Sequence, residues 1–171
     1  MERSELERRY REEFRPRCEK FAAYLHQLLV ELINKAQIPV DKIESRTKTV
    51  ESFLEKIARK SYQNPFTEIK DCIGIRIITY YQDDVERIKA IIAREFTVDA
   101  AHSEDKIARL DADEFGYRSV HLVVTLAAPR SALKELEDFV GLPAEIQVRS
   151  ILQHSWATMS HEFDYKSSSQ V

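Results

Sequence analysis

Two charged residues stand in the most strand-like stretch of the chain, Asp71 at its head and Arg76 inside it. From Cys72 to Tyr80 the residues are mostly β-branched or aromatic, and isoleucines at 73, 75, 77 and 78 leave little polar surface, which predicts a central strand covered on both faces. An unpaired buried charge is costly, so both groups must be paired, bound to a metal or directed at a ligand. The alternative is an Asp71 that caps a turn and an Arg76 that reaches the sheet edge.

A second set of polar residues carries positive charge at a predicted strand-to-helix junction. Arg46 and Lys48 lie at the end of a strand that begins near Lys42, and Ser52 and Lys56 share one face of a helix from about Val50 to Lys60. Cations, a hydroxyl and the free N–H groups of a helix start suit a polyphosphate. A solvated basic face is the other interpretation of this spacing.

Strict alternation gives two further strands a polar face. Over 116–126 it places Tyr117, Ser119 and His121 on one side, which is equally typical of a packed, hydrogen-bonded sheet edge. Over 144–149 it places Glu145, Gln147 and Arg149 on one side. If the second face adjoins the one that bears Asp71, two carboxylates converge on one site.

The remaining elements must position these residues. Apolar residues at 14, 18, 21, 25, 28 and 32 predict an amphipathic helix that begins near Pro16, follows a separate charged segment and packs on the sheet. We predict a helix after Asp83-Asp84, a brief strand over 97–99, a short helix over 131–140 and a last helix from about Ser150. The polar stretch 100–115 predicts a long connection.

Composition limits the class of protein. The chain has 171 residues, 43% of them hydrophobic and 32% charged, as in one globular domain, and no apolar run approaches the roughly 18 residues of a membrane span. The first ten residues hold no apolar signal core, so we expect a cytoplasmic protein without a membrane partner. Cys18 and Cys72 are predicted to be buried thiols, and the net charge of −3 gives no general reason to expect nucleic acid.

Several common sites are excluded by what the chain lacks. Only Gly74, Gly116 and Gly141 are available, so there is neither a P-loop nor a dinucleotide-binding glycine fingerprint. Neither His-Glu-x-x-His nor Cys-x-x-Cys occurs, which disfavours zinc. Two acids able to share a hard cation, several arginines and lysines, and a tyrosine able to stack on a base suit Mg²⁺-assisted phosphoryl chemistry on nucleotides.

Five motifs follow one another in a fixed order. They are Arg46-x-Lys48-x3-Ser52-x3-Lys56, Asp71-x-x-Gly74-x-Arg76, Gly116-Tyr117-Arg118-Ser119-x-His121, Glu145-x-Gln147-x-Arg149 and His154-x-Trp156-Ala157-x3-His161-x3-Tyr165-Lys166. In this order they resemble the synthetase domain of RelA/SpoT proteins, and the set is far more specific than any single motif.

This resemblance implies an α+β fold, a mixed five-stranded sheet flanked by helices and related to nucleotidyltransferases. It implies one synthetase domain over 1–171, with core motifs at 46–166 and an N-terminal helical region at 1–36. No His-Asp dipeptide occurs, so we expect no hydrolase domain. The resemblance implies an enzyme that uses Mg²⁺ to transfer the β,γ-pyrophosphate of ATP to the ribose 3′-hydroxyl of GDP or GTP. The implied product is (p)ppGpp, the alarmone of the stringent response.

The resemblance also assigns roles to residues. ATP is expected to be held by Arg46, Lys48, Ser52, Lys56 and Arg76. Asp71 and Glu145 are expected to bind Mg²⁺, with Glu145 also taking the proton of the attacking hydroxyl. The acceptor is expected to be bound by Tyr117, which stacks on its base, and by Ser119, His121, Gln147 and Arg149.

One departure concerns the acceptor. Many guanosine-specific members of the family have a segment similar to Lys-Pro-Asn before Gly-Tyr, whereas Asp113-Glu114-Phe115 stands here. An acid beside the acceptor's phosphates would repel them. The alternatives are therefore transfer to the 3′ end of tRNA or to an adenosine nucleotide, as in toxin-type relatives, and a non-catalytic nucleotide-binding module. A homo-oligomer is a further possibility that the sequence leaves open.

Overall fold

The computed structural model describes residues 2–105 and 119–168, with the side chains of Asp105 and of residues 160–168 left aside. Its strands are β1 Val40–Thr47, β2 Ile73–Thr79, β3 Phe96–Val98, β4 Glu104–Asp105, β5 Val120–Leu126 and β6 Ala144–Ser150. Its α-helices are α1 Arg3–Arg9, α2 Arg15–Lys35, α3 Val50–Arg59, α4 Pro65–Glu68, α5 Gln82–Glu95, α6 Ala128–Ser131 and α7 Ile151–Ser168. A π-helical segment, Tyr10–Phe14, joins α1 to α2, and a 3₁₀ segment, Lys134–Phe139, precedes β6.

The strands form one mixed sheet in the order β1-β2-β6-β5-β3. β2 and β6 are parallel, and the other neighbouring strands are antiparallel. β3 pairs with residues 124–126 of β5 and the two-residue β4 pairs with residues 120–121, so both occupy the same edge position. The prediction of an α+β fold with a mixed five-stranded sheet flanked by helices is confirmed.

β2 is an interior strand, but β6 holds the middle of the sheet. Ile73, Ile75 and Ile77 are fully buried in one cluster with residues of α2, which packs against β1 and β2. On the opposite face, Gly74 and Arg76 stay partly exposed, and only near the end of the strand is that face covered. The prediction of a strand covered on both faces throughout is therefore wrong, and the open part is where polar residues gather.

The N-terminal helical region is continuous, whereas its apolar pattern predicts a separate segment before the long helix. The backbone stays helical through Arg9, Phe14 and Arg15, so α1, the π segment and α2 follow one another without a break. Pro16 has no N–H to donate, and just before it the Arg15 N–H bonds to the Tyr10 carbonyl, an i→i−5 bond of the π type. The long helix α2 does begin near Pro16, at Arg15, but the charged segment before it is not separate, because this local change of hydrogen bonding lets the helical backbone pass the proline.

The smaller elements largely follow the sequence. The strand near Lys42 and the helix from Val50 are β1 and α3, and the brief strand near 97–99 is β3. The helix predicted over 131–140 is instead one α-helical turn, α6, with Pro129 as its second residue, followed by the 3₁₀ segment and by Gly141 at a φ of +73°. Cys18 and Cys72 are buried and free, as predicted, and burial raises the pKa of each thiol to about 12.

Across the part of the chain that the structure describes, we find no helix with both the length and the apolar character that crossing a membrane requires.

Candidate active site

Strand register brings the polar faces of four neighbouring strands together. Arg46 of β1 is opposite Gly74 of β2, and Gly74 is opposite Glu145 of β6. Arg76 is opposite Gln147, which is opposite His121 of β5. Because directly paired residues point to the same side of a sheet, these side chains share one face.

Asp71 joins this face from outside the strand. β2 begins at Ile73, and Asp71 lies in the turn before it. Five residues separate Asp71 from Arg76, which would place them on opposite faces of one regular strand. The turn removes that conflict, and the pairing of β2 with β1 is regular from Lys42 to Thr47.

Asp71 is held by two lysines from the β1–α3 junction. Its Oδ2 lies 3.1 Å from Lys48 Nζ and 2.8 Å from Lys56 Nζ. Burial acts to raise the pKa of Asp71, but the hydrogen bond from Lys56 and the charges of both lysines outweigh it, so the pKa lies below its ordinary value. The other oxygen, Oδ1, is buried and has no hydrogen-bond partner among the described residues. Asp71 is thus an ionised carboxylate with one oxygen left to accept a ligand.

The N-terminal helical region fixes the backbone of this junction. Lys48 donates its N–H to the Cys72 carbonyl at 2.9 Å. Its own carbonyl accepts a 2.7 Å hydrogen bond from the hydroxyl of Tyr10, which is fully buried and stacked on Phe53 of α3 at a centroid distance of 3.9 Å. The lysine that pairs with Asp71 is therefore anchored on both sides of its peptide.

Glu145 is the centre of a second polar cluster. His121 Nδ1 lies 3.0 Å from its Oε1, and Gln147 Nε2 donates to its Oε2 at 3.0 Å. His121 Nε2 lies 2.8 Å from the hydroxyl of Ser119, which is fully buried. Burial acts to raise the pKa of Glu145, as does the charge of Asp71, but the contacts with His121 and Gln147 bring it below its ordinary value. Both carboxylates of the site are therefore ionised at neutral pH.

Arginines line a small cavity over β1 and β2. It has a volume of about 240 Å³, and its wall includes Glu44, Arg46, Gly74, Arg76 and Gln147. Arg46 lies across Gly74, where an added Cβ would be 3.2 Å from Arg46 Nε. Arg76 is 3.7 Å from the Glu44 carboxylate, and its buried Nε has no hydrogen-bond partner among the described residues. The two guanidinium groups are placed to bind an anion.

A larger cavity of about 660 Å³ contains both acids. Asp71, Glu145, Lys56 and His121 line it, together with Lys60, Tyr62, Glu68, Lys70, His102 and Glu104. Among the side chains that the structure describes, no three acidic, histidine or cysteine groups form a complete metal cage. Mg²⁺ is commonly held by one or two carboxylates together with substrate phosphates and water, so this pair of acids and the free Oδ1 of Asp71 fit it.

Two of the predicted site residues that the structure describes, Ser52 and Arg149, stand apart from these clusters. Ser52 lies on the exposed first turn of α3, where its N–H donates to the Thr49 hydroxyl that caps the helix. Arg149 shares the face of Glu145 but is only 5% exposed and lies near His154 of α7. Tyr117 lies outside the described residues.

Several residues of these cavities were not predicted from the sequence. Glu44 could have been, because it precedes Arg46 by two positions on one strand and so shares its face. Lys60, Tyr62 and Lys70 come from irregular backbone around α4, where no period relates them to the other site residues. Tyr10 lies 38 residues before Lys48, and no local pattern marks it as a support of the site.

Comparison with known proteins agrees with this arrangement. A family model described as a region found in RelA/SpoT proteins matches residues 45–170. The chain belongs to this family. A curated relative, the GTP pyrophosphokinase YjbM of Bacillus subtilis, is 35% identical over 138 residues, which are 78% of this chain. The chain spans 60% of the length of that relative.

Solved structures show the same fold. The small alarmone synthetase 1 of Bacillus subtilis bound to its product pppGpp has a TM-score of 0.73 and 28% identity, covering 94% of this chain and 82% of that one. The same synthetase bound to AMPCPP has a TM-score of 0.68 and 27% identity, covering 95% of this chain and 82% of that one. The fold is thus that of small alarmone synthetases.

Proposed function

We propose that this chain is a nucleotide pyrophosphokinase that transfers the β,γ-pyrophosphate of ATP to the ribose 3′-hydroxyl of GDP or GTP and releases AMP. One observation carries the proposal: Asp71, with an oxygen free of hydrogen bonds, and Glu145 line one cavity beside a set of cations. Relatives named GTP pyrophosphokinase and a neighbour bound to pppGpp support the same reaction.

The donor is proposed to lie over β1 and β2. Arg46 and Arg76 line the smaller cavity, and Lys48 and Lys56 pair with Asp71, which lines the larger one. Fixed cations there would bind the triphosphate and stabilise the negative charge that grows on it as the bond breaks. Ser52, on the exposed start of α3, is proposed to complete the phosphate contacts.

Asp71 and Glu145 are proposed to hold Mg²⁺. When bound, the ion would neutralise phosphate charge and align the transferring group. One oxygen of Asp71 is available for this role, because Lys48 and Lys56 both pair with the other oxygen, Oδ2.

The acceptor is proposed to lie over β5 and β6. In the transfer, a bond forms between O3′ and the β-phosphorus while the bond from the β-phosphorus to the oxygen bridging it to the α-phosphorus breaks, so that AMP leaves. Glu145, ionised and oriented by His121 and Gln147, is proposed to accept the hydroxyl proton. Tyr117 is proposed to stack on the acceptor base, with Ser119, His121 and Arg149 supporting that side of the site.

The test is incubation with ATP and Mg²⁺ against GDP, GTP, ADP and tRNA, with products identified by mass. We expect GDP or GTP to gain two phosphate groups as AMP appears. Transfer to tRNA or ADP alone would retain the chemistry and replace the acceptor. Release of AMP with no acceptor modified, or no release at all, would contradict the proposed transfer.

A further inference from the structure

A third cavity lies outside the candidate active site, between the N-terminal helical region, the segment around α4 and the loop that precedes β6. Its volume is about 1040 Å³, greater than that of either cavity described above. We call it the N-terminal cavity. Neither Asp71 nor Glu145 is part of its wall, and none of the proposed catalytic roles uses it. Clefts of this size commonly hold small organic ligands.

One part of the wall of the N-terminal cavity is apolar. All three segments contribute to it, with side chains that include Leu6, Phe14, Ile57, Phe66, Val140 and Leu142. Tyr62 lines the cavity as well, is only half-buried and pairs with no other aromatic ring in the part of the chain that the structure describes. The flat body of an organic ligand would therefore find both aliphatic contacts and an aromatic face in this wall.

Positive charge exceeds negative charge in the same wall. The wall has three cations, Arg9, Arg17 and Lys70, and one acid, Glu13. That acid lies 3.8 Å from the guanidinium group of Arg8, a residue outside the wall. The charge of the N-terminal cavity therefore favours an anion.

Two of these cations are already oriented. Arg17 Nε donates to the Asp138 carbonyl, and among the described residues Arg17 forms no salt bridge. Its two terminal nitrogens are thereby left to donate to an anionic oxygen. The guanidinium group of Arg9 lies over the ring of Phe66, 4.8 Å from its centroid, so charge and aromatic surface adjoin in one wall.

We propose that the N-terminal cavity binds a small organic anion with a flat aromatic body, whose carboxylate, sulfonate or phosphate group lies at Arg17 and whose ring packs on the wall formed by Phe66 and Tyr62. The anionic group would gain charge-assisted hydrogen bonds, and the ring would gain apolar burial. A neutral aromatic compound of the same shape loses the first contribution, and an inorganic anion loses the second. The site does not depend on the proposed transfer reaction.

The N-terminal cavity shares part of its wall with the larger cavity of the candidate active site. Tyr62 and Lys70 line both. Arg17 and Phe66 line only the N-terminal cavity, whereas Lys60 lines only the one that contains the two acids. Substitutions of these three residues therefore distinguish binding in one cavity from binding in the other.

The experiment measures the affinity of the fluorescent anion anilinonaphthalene sulfonate, with phenylnaphthylamine, which lacks the sulfonate, as its neutral counterpart. We expect wild type to bind the sulfonate more tightly than the neutral compound. Arg17→Gln should weaken binding of the sulfonate about tenfold, as expected for a lost charge-assisted bond, and leave the neutral compound unaffected. Phe66→Leu should weaken binding of both compounds. Lys60→Gln and Lys20→Gln, both exposed changes outside this cavity, should leave both affinities unchanged.

Arg17→Lys keeps the test valid if Arg17→Gln is destabilised, because the charge-conserving variant should retain more affinity for the sulfonate than Arg17→Gln. Unchanged affinity in Arg17→Gln, or an equal loss for the sulfonate and the neutral compound, would overturn the proposal. A loss confined to Lys60→Gln would place the probe in the candidate active site and overturn it as well. Equal binding of the two compounds by wild type would show an apolar cleft without an anion site.

Discussion

His121 and Glu145 are diagonal neighbours on β5 and β6, with His121 Nδ1 3.0 Å from Glu145 Oε1. If neutral His121 donates through Nδ1, its Nε2 is left to accept the proton of the Ser119 hydroxyl 2.8 Å away. Gln147 holds the other oxygen of Glu145. A buried serine thus orients a histidine, which orients the carboxylate proposed to act on the acceptor.

The two carboxylates should be required for turnover and not for folding. We expect Glu145→Gln and Asp71→Asn each to lower kcat by orders of magnitude, because each removes a charge proposed to hold Mg²⁺. Thermal unfolding should change little, since the amides keep the shape and some of the hydrogen bonds. Glu51→Gln, an exposed acid on α3, is the control. Near-normal turnover in both variants would remove the proposed metal role.

Substitution of Gly74 should weaken binding of the donor, ATP, whereas substitution of Gly141 should lower the free energy of unfolding. An alanine Cβ at 74 would lie 3.2 Å from Arg46 Nε and 3.3 Å from Arg46 Cγ, so that side chain must move. We expect Gly74→Ala to raise the KM for ATP several-fold with little change in the free energy of unfolding.

Gly141→Ala is the matched control for that change. No atom lies within 4 Å of the added Cβ, but the φ of +73° is unfavourable for alanine. We expect it to lower the free energy of unfolding by about 1–2 kcal/mol and to leave the KM for ATP unchanged. Identical effects of the two variants on both quantities would show that Gly74 has no particular link to Arg46.

Tyr10→Phe tests how the N-terminal helical region supports the site. The substitution keeps the ring stacked on Phe53 but removes the hydroxyl that donates to the Lys48 carbonyl at 2.7 Å. We expect a loss of about 1–3 kcal/mol in the free energy of unfolding, since that carbonyl loses its partner. Turnover should fall further than in an equally destabilised control such as Gly141→Ala. Turnover that follows stability alone in both variants would make Tyr10 a purely structural residue.

Local periodicity explains which parts of the site were predictable. Alternation places Glu145 and Gln147 on one face of β6, and the register confirms that this face adjoins Gly74 and Arg76. A period of two depends only on the strand itself, so sequence is sufficient. Whether Asp71 and Arg76 can serve one face depends on the residue at which β2 begins. Local propensity does not define the first residue of a strand well.

The incorrect predictions concern features set by tertiary contacts. The helix continues past Pro16 because the π segment accommodates it and because Tyr10, within that segment, is buried against Phe53. The cavity residues Lys60 and Lys70 lie in backbone near α4 whose course is set by packing around buried Pro65 and Ile69. No spacing in the sequence could bring these groups to Glu145.

His154 should make folding stability depend on pH near neutrality. Burial, followed by the charges of Arg149, Lys42 and Arg76, lowers its pKa from the ordinary 6.5, and Glu44 opposes them only in part. The unfolded chain therefore binds the proton more readily than the folded one. As a result, the free energy of unfolding is highest above pH 6.5, decreases as the pH falls from 6.5 towards the lowered folded-state pKa, and levels off below that pKa.

Replacing that imidazole should remove this part of the pH dependence. We expect the free energy of unfolding of His154→Gln to vary less with pH than that of wild type in the interval just below 6.5. Denaturant titrations at a series of pH values measure the slope. The losses from Asp71 and Glu145, whose pKa values are also lowered, begin only as the pH falls into the ordinary carboxylate range, where the unfolded chain takes up these protons, and so leave this interval clear. A slope that persists unchanged in His154→Gln would assign the proton uptake to another group.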